Sequence, residues 1–213
     1  MKNLLVFKLL LVISILYSCT SPIDDDEINT TIELSENGIV GTYTIPSISI
    51  HGTERGTLVD PILNDWYISY ETNIKSEAKD ISLKITFNPD KTYSINGSFI
   101  VKSDYSKNDY FNSTIEFKEY EKSNNVNSSG TYEVFKDTTL NNVPKKGLLV
   151  LSPGFNVETH NDLDLSLFSS SPRGEWYVDV LEGNYMKLSN WDFDFIQRWR
   201  AEQTIVMDVI KEN

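Results

Sequence analysis

Ile81-Ser82-Leu83-Lys84-Ile85-Thr86-Phe87-Asn88-Pro89-Asp90-Lys91-Thr92-Tyr93-Ser94-Ile95-Asn96-Gly97-Ser98-Phe99-Ile100-Val101 decides the fold class. Ile81, Leu83, Ile85 and Phe87 alternate with Ser82, Lys84 and Thr86, the period of a half-buried strand. Asn88-Pro89-Asp90-Lys91 supplies turn residues. Alternation then resumes through Tyr93, Ile95, Phe99 and Val101, with Gly97 as a bulge or bend. Two strands joined by a tight turn form a hairpin.

The same pattern recurs outward from this hairpin. Strand-like stretches cover 39–45 and 66–71 before it, and 109–120, 131–135, 147–151, 175–181, 185–188 and 204–210 after it. Ser123–Ser129 reads as a polar, Asn-rich loop, and 155–171 as a long irregular insertion. Phe195 and Trp199 lie four apart, so Trp191–Arg200 is expected to form a short helix near the C-terminus. Short strands separated by turn signals predict an all-β fold, a barrel or a sandwich. An antiparallel up-and-down β-barrel of about eight to ten strands is the expected form, because closure removes exposed edges.

The N-terminus carries a different signal. Met1-Lys2-Asn3 is a short positive start, and 4–17 is an apolar run broken only by Lys8 and Ser14. That run is shorter than the ~20 apolar residues a spanning helix needs, and it fits a secretory signal peptide over 1–18. Leu16-Tyr17-Ser18-Cys19 closes it, and Cys19 is the only cysteine in the chain. This tetrapeptide resembles the lipobox of bacterial lipoproteins. The resemblance implies cleavage before Cys19 and acyl chains such as palmitate on its thiol. One chain gives marginal membrane binding, so stable anchoring takes several. With its one thiol lipidated, the mature chain would have neither a disulfide nor a thiolate zinc site.

Residues 19–38 read as an acidic, flexible tether. They hold Asp24, Asp25, Asp26, Glu27, Glu33 and Glu36 and no Lys or Arg. An acidic cluster just after a lipidated cysteine resembles the export signal of Bacteroidetes lipoproteins. It implies an outer-membrane location, with the cell surface favoured over a periplasm-facing anchor. Residues 39–213 then form the folded domain.

Charge narrows the partners. Nineteen Lys and Arg stand against 31 Asp and Glu, a net −12, and losing Lys2 and Lys8 with the signal peptide makes the balance more negative. Nucleic acid is disfavoured, since its binding needs clustered cations. Membrane contact would depend on the lipid rather than on surface charge.

Several fragments in order carry a family likeness: Gly41-Thr42-Tyr43 opening the first strand, Ile85-Thr86-Phe87-Asn88-Pro89-Asp90-Lys91-Thr92-Tyr93, Gly130-Thr131-Tyr132-Glu133-Val134, and Leu148-Leu149-Val150-Leu151. Their arrangement resembles the lipocalin-like domains of bacterial lipoproteins. That resemblance implies an up-and-down barrel over roughly 39–210 that either packs its interior or holds a small apolar ligand. Tyr43, Phe87, Tyr93, Phe99, Phe117, Tyr132, Trp176 and Met207 are the candidate lining residues, with plain core packing as the alternative. Trp66, Trp191 and Trp199 fall outside the clean alternation and are candidate surface aromatics for a glycan or protein, or else close a barrel end.

No catalytic constellation is legible. His51 and His160 lie far apart in the sequence. Asp162 with Asp164 and Asp192 with Asp194 are i, i+2 carboxylate pairs that read as a solvated rim. Ser152-Pro153-Gly154 is not a nucleophile elbow. The expectation is a binding protein, not an enzyme, without cofactor or metal. Either it holds a small apolar ligand at the envelope, or it is a surface interaction protein with a packed barrel.

Overall fold

Period-two patterning persists along most of the chain, and nine antiparallel strands result: β1 (Gly41–Val59), β2 (Trp66–Lys79), β3 (Lys84–Phe87), β4 (Thr92–Asp109), β5 (Thr114–Leu140), β6 (Val143–Ser152), β7 (Glu175–Glu182), β8 (Tyr185–Ile196) and β9 (Trp199–Lys211). The computed structural model describes residues 32–59, 66–155, 157, 174–196 and 199–212, and at 59, 66, 192–196, 199 and 200 the backbone alone. The described residues belong to one compact unit, Thr30–Glu212. The expected signal peptide and Cys19 lie outside them, as do His160, Asp162, Asp164 and most of the 155–171 insertion.

The strands are hydrogen-bonded in a ring. Neighbours run β1, β3, β4, β5, β6, β7, β8, β9, and β9 pairs back onto β1. β2 and β3 share one position in this ring. The start of β1 pairs with β3 (Tyr43 opposite Ile85) and its remainder with β2 (Gly52 opposite Ile74). β4 does the same, with Ile95 opposite Ile85 and Tyr105 opposite Ile74. The all-β expectation holds, and the sheet is barrel-like. Among the described residues there is no helix.

The hairpin read from 81–101 is present as β3 and β4, with the turn at Asn88–Lys91. Asp90 caps that turn: its carboxylate accepts from the Thr92 amide (3.1 Å) and hydroxyl (2.6 Å). Those bonds hold the carboxyl below its usual range. At Gly97 the backbone has φ 138°, and a Cβ there would collide with the Ser82 carbonyl oxygen. Only glycine allows β4 to pass this close to the β2–β3 connection.

Four expectations are corrected. Trp191–Arg200 is not a helix: β8 runs to Ile196 and β9 starts at Trp199, with Ile196 opposite Trp199. The spacing of Phe195 and Trp199 comes from straddling a hairpin. Ser123–Ser129 is not a loop but the middle of β5, paired with β4 from Ser94 to Ile100. Ladder bonds and the burial of Asn124 and Val126 outweigh the weak strand propensity of Asn and Ser. The strand expected over 109–120 is present only from Thr114, where β5 begins, because 110–113 form the β4–β5 turn and Asp109 ends β4. Finally, part of the expected tether is packed: Ile32 and Leu34 are buried in the main core.

Those two residues belong to a plug at one end of the ring, here the lower end. The Ile32 amide donates to the Gly183 carbonyl (2.6 Å) in the β7–β8 turn. Tyr132 donates its hydroxyl towards the carbonyls of Glu36 (3.1 Å) and Asn88 (2.9 Å). Tyr43 donates to the Ile39 carbonyl (2.7 Å). Burial, with Tyr132 adding to it, pushes the Tyr43 phenol upward, so it stays a neutral donor. The β3–β4, β5–β6 and β7–β8 turns lie at this lower end. The β1–β2, β4–β5 and β8–β9 connections lie at the opposite, upper end.

Candidate functional site: the upper end of the ring

The inner faces of the strands change character along their length. Towards the lower end they are apolar and buried. Trp176, Tyr43, Tyr93, Tyr132, Phe87 and Phe99 are the largest fully buried side chains. Phe87 meets both Tyr43 (5.6 Å) and Tyr132 (5.0 Å) edge to face, and Phe155 stacks on Trp176 at 5.4 Å. Seven of the eight residues expected to line the interior are buried: Tyr43, Phe87, Tyr93, Phe99, Tyr132, Trp176 and Met207.

Phe117 is the exception and is corrected here. It stands opposite Ser106 on the outer face and is 76% exposed, because the inward positions of β5 are the even-numbered ones, such as Asn124 and Val126.

Towards the upper end polar side chains join the inner face beside a second, small apolar cluster of Ile74 and Tyr105 with Tyr120 packed on it. Glu54 on β1, Thr72 and Ser76 on β2, Ser103 on β4, Asn124 on β5 and Gln203 on β9 are all buried there. Ser76 and Ser103 share a hydrogen bond of 2.7 Å, and Tyr70 donates to Glu54 at 2.6 Å. The Tyr70 ring occupies the space beside Gly56, where any Cβ would run into it. Lys107 lies 5.0 Å from the centre of that ring, and Lys118 lies 5.9 Å from the centre of the Tyr105 ring. Little in the sequence signals this change, since Ser, Thr, Asn and Gln at inner positions read as solvent-facing.

Outside the upper end an apolar rim stands clear of the core. Among the described residues the exposed large hydrophobics are Leu58, Tyr67, Ile68, Tyr110, Phe111, Ile115, Phe117, Phe135 and Val143. The first seven sit on the β1–β2 and β4–β5 hairpins, which adjoin: Tyr70 pairs with Asp109, and the Tyr110 amide donates to the Ser69 carbonyl at 2.8 Å. Phe111 is 71% exposed. Of the expected surface tryptophans, Trp191 is half-buried and donates its indole N–H to Glu202 (3.1 Å). Trp66 and Trp199 stand on either side of β1, opposite Val59 and Gly56, at the same upper end, and their side chains lie outside the described residues.

His51 is exposed on the outer face of β1. Asp192 and Asp194 fall on β8, opposite Gln203 and Ala201. Among the described residues no group of three or more His, Cys, Asp or Glu is set to hold a metal, and no helix is long and apolar enough to cross a membrane. The β4–β5 wall carries two shallow clefts of about 240 and 250 Å³, one lined by Lys102–Asp104 and Glu119–Glu121, the other by Asn125–Ser128 with Gly154 and Phe155.

Comparison with known proteins returns nothing: no family model, no curated protein and no solved structure matches the chain.

Proposed function

We propose that this protein is a lipid-anchored lipoprotein of the outer membrane, displayed at the cell surface. Its lipocalin-like barrel binds an external partner through the upper rim and performs no catalysis. The observation that carries this reading is the separation of two features. Ile32, on the N-terminal side of the barrel, is tied to Gly183 at the lower end, while seven exposed large hydrophobics gather on two adjoining hairpins at the upper end. A lipid on Cys19 would hold the lower end towards the bilayer and present the rim outward. Contiguous exposed apolar surface marks interaction sites in soluble domains, and aromatic side chains dominate such contacts. Carriage of a small apolar ligand has less support, since the apolar part of the interior is occupied by its own aromatics.

Photo-crosslinking in intact cells tests the rim. A crosslinking residue at Phe111 should give discrete adducts, and one at Phe135, exposed at the lower end, should not. Adducts from Phe135 alone, or from neither site, would sink the reading. Labelling with a palmitate analogue tests the anchor: Cys19→Ala should abolish both label and membrane partitioning. A labelled Cys19→Ala chain would rule the anchor out.

A further inference from the structure

β5 opens one edge to solvent at its start. From Thr114 it is laddered to β4 on one side, Thr114 standing opposite Asp109 and Phe117 opposite Ser106. On its other side β6 begins only at Thr131, and over 114–119 no strand of the described residues takes its place. Residues 114–119 are exposed on both faces of the strand, with Ile115 and Phe117 on the outer one. Such an edge presents a row of backbone amides and carbonyls, which folds usually blunt with prolines, bulges or charge. Over 114–119 there is neither a proline nor a shift in register. The lysine in this stretch, Lys118, is engaged by Glu116 two residues away, at 2.7 Å.

We propose that two copies of the chain pair antiparallel through this edge, with the two-fold axis at Phe117. Symmetry and charge together select the register. A two-fold axis normal to the sheet passes between a residue and its own counterpart, and residue i then meets residue j while j meets i. Centred on Glu116, Lys118 or Glu119, the axis opposes a charge to itself. Centred on Ile115, the ladder runs out at Thr114, where β5 begins. Centred on Phe117, it sets the two phenyl rings opposite each other, and Glu116 of each copy meets Lys118 of the other. Aromatic pairs and opposite charges stabilise facing strands, and like charges destabilise them. The proposal rests on the reading of the rim as a contact surface, to which Ile115 and Phe117 belong, and it names that surface's partner as a second copy.

Sedimentation of the full-length protein, purified in detergent, tests the pairing. The parent should form a dimer. Glu116→Lys and Lys118→Glu should each weaken it about tenfold, because the two-fold axis doubles every opposed charge. The double swap Glu116→Lys/Lys118→Glu should restore it. Oxidative crosslinking reads the register. Phe117→Cys should link two copies, with the parent chain as the blank for Cys19. Ile115→Cys should not, since it would lie four residues, about 13 Å, from its counterpart. A monomeric parent, a double swap that fails to restore the dimer, or equal linking at both cysteines overturns the proposal. A monomeric parent whose Phe111 crosslinks in cells to a different protein overturns the second copy alone and leaves the rim reading standing. Failure of the rim reading shows instead as no Phe111 adduct of any kind.

Discussion

The rings of Phe87 and Tyr132 meet edge to face with their centroids 5.0 Å apart, and the Tyr132 hydroxyl passes beyond to the Asn88 carbonyl at 2.9 Å. One side chain thus joins the β3–β4 turn to β5 and to the chain that plugs the lower end. Phe87→Ala should cost about 3–5 kcal/mol, the usual range for a fully buried Phe. Tyr132→Phe keeps the ring and loses the hydroxyl, so it should cost only about 1 kcal/mol. Urea denaturation midpoints measure both. Equal losses would show that ring packing contributes no more than the hydroxyl does.

Leu34 lies in sequence that reads as tether, yet it is buried and fills the place a side chain at Gly147 would take. Leu34→Ala should destabilise the domain by about 2–5 kcal/mol. A true tether residue would show no change in thermal midpoint.

Phe117→Ser should behave in the opposite way. An outer-face substitution is expected to change stability by no more than about 0.5 kcal/mol, while reducing any self-association measured by analytical ultracentrifugation. A loss of several kcal/mol would mean that Phe117 faces inward.

Tyr185 and Asp208 titrate as a linked pair, joined by a hydrogen bond of 2.6 Å. The Asp208 carboxylate, followed by burial, pushes the Tyr185 phenol up to about 12. Burial would raise Asp208, but the hydrogen bonds from Ser47 and Tyr185 outweigh it and hold the carboxyl low. The folded state therefore keeps the Tyr185 proton more tightly than the unfolded chain does. Its contribution is complete below about pH 10, the free phenol's value, and is lost as pH rises towards about 12. The Asp208 contribution is present above the free carboxyl's value and is lost as pH falls through its lowered one. Stability curves across pH should show both limbs, and Tyr185→Phe should flatten the alkaline one. An unchanged alkaline limb in that variant would show that other groups set it.

Strict alternation makes the fold class readable from Ile81–Val101 and from Glu175–Leu181, where apolar and polar residues trade places and one face is buried. It fails where the interior itself is polar. Asn124 and Ser128 sit in a strand whose sequence resembles a loop, because hydrogen bonds to β4, not side-chain hydrophobicity, hold them there. Gln203 is hidden from a sequence reading for the same reason. Phe117 reads as inward because it is an aromatic in an alternating stretch, whereas the parity of β5 is set further along by Val126 and Tyr132. The rim is visible in the sequence as aromatics but not as a patch, since its adjacency depends on β2 pairing with β4 across the intervening β3.

The position of β1 has a mechanical consequence. The strand following the N-terminal plug is laddered on one side to β9 and on the other to β2 and β3. A pull on the N-terminus against a load at the opposite end acts along β1, across rungs that lie perpendicular to the force. The rungs share the tension instead of breaking one after another, so β1 resists extraction by shear better than a strand peeled from an edge.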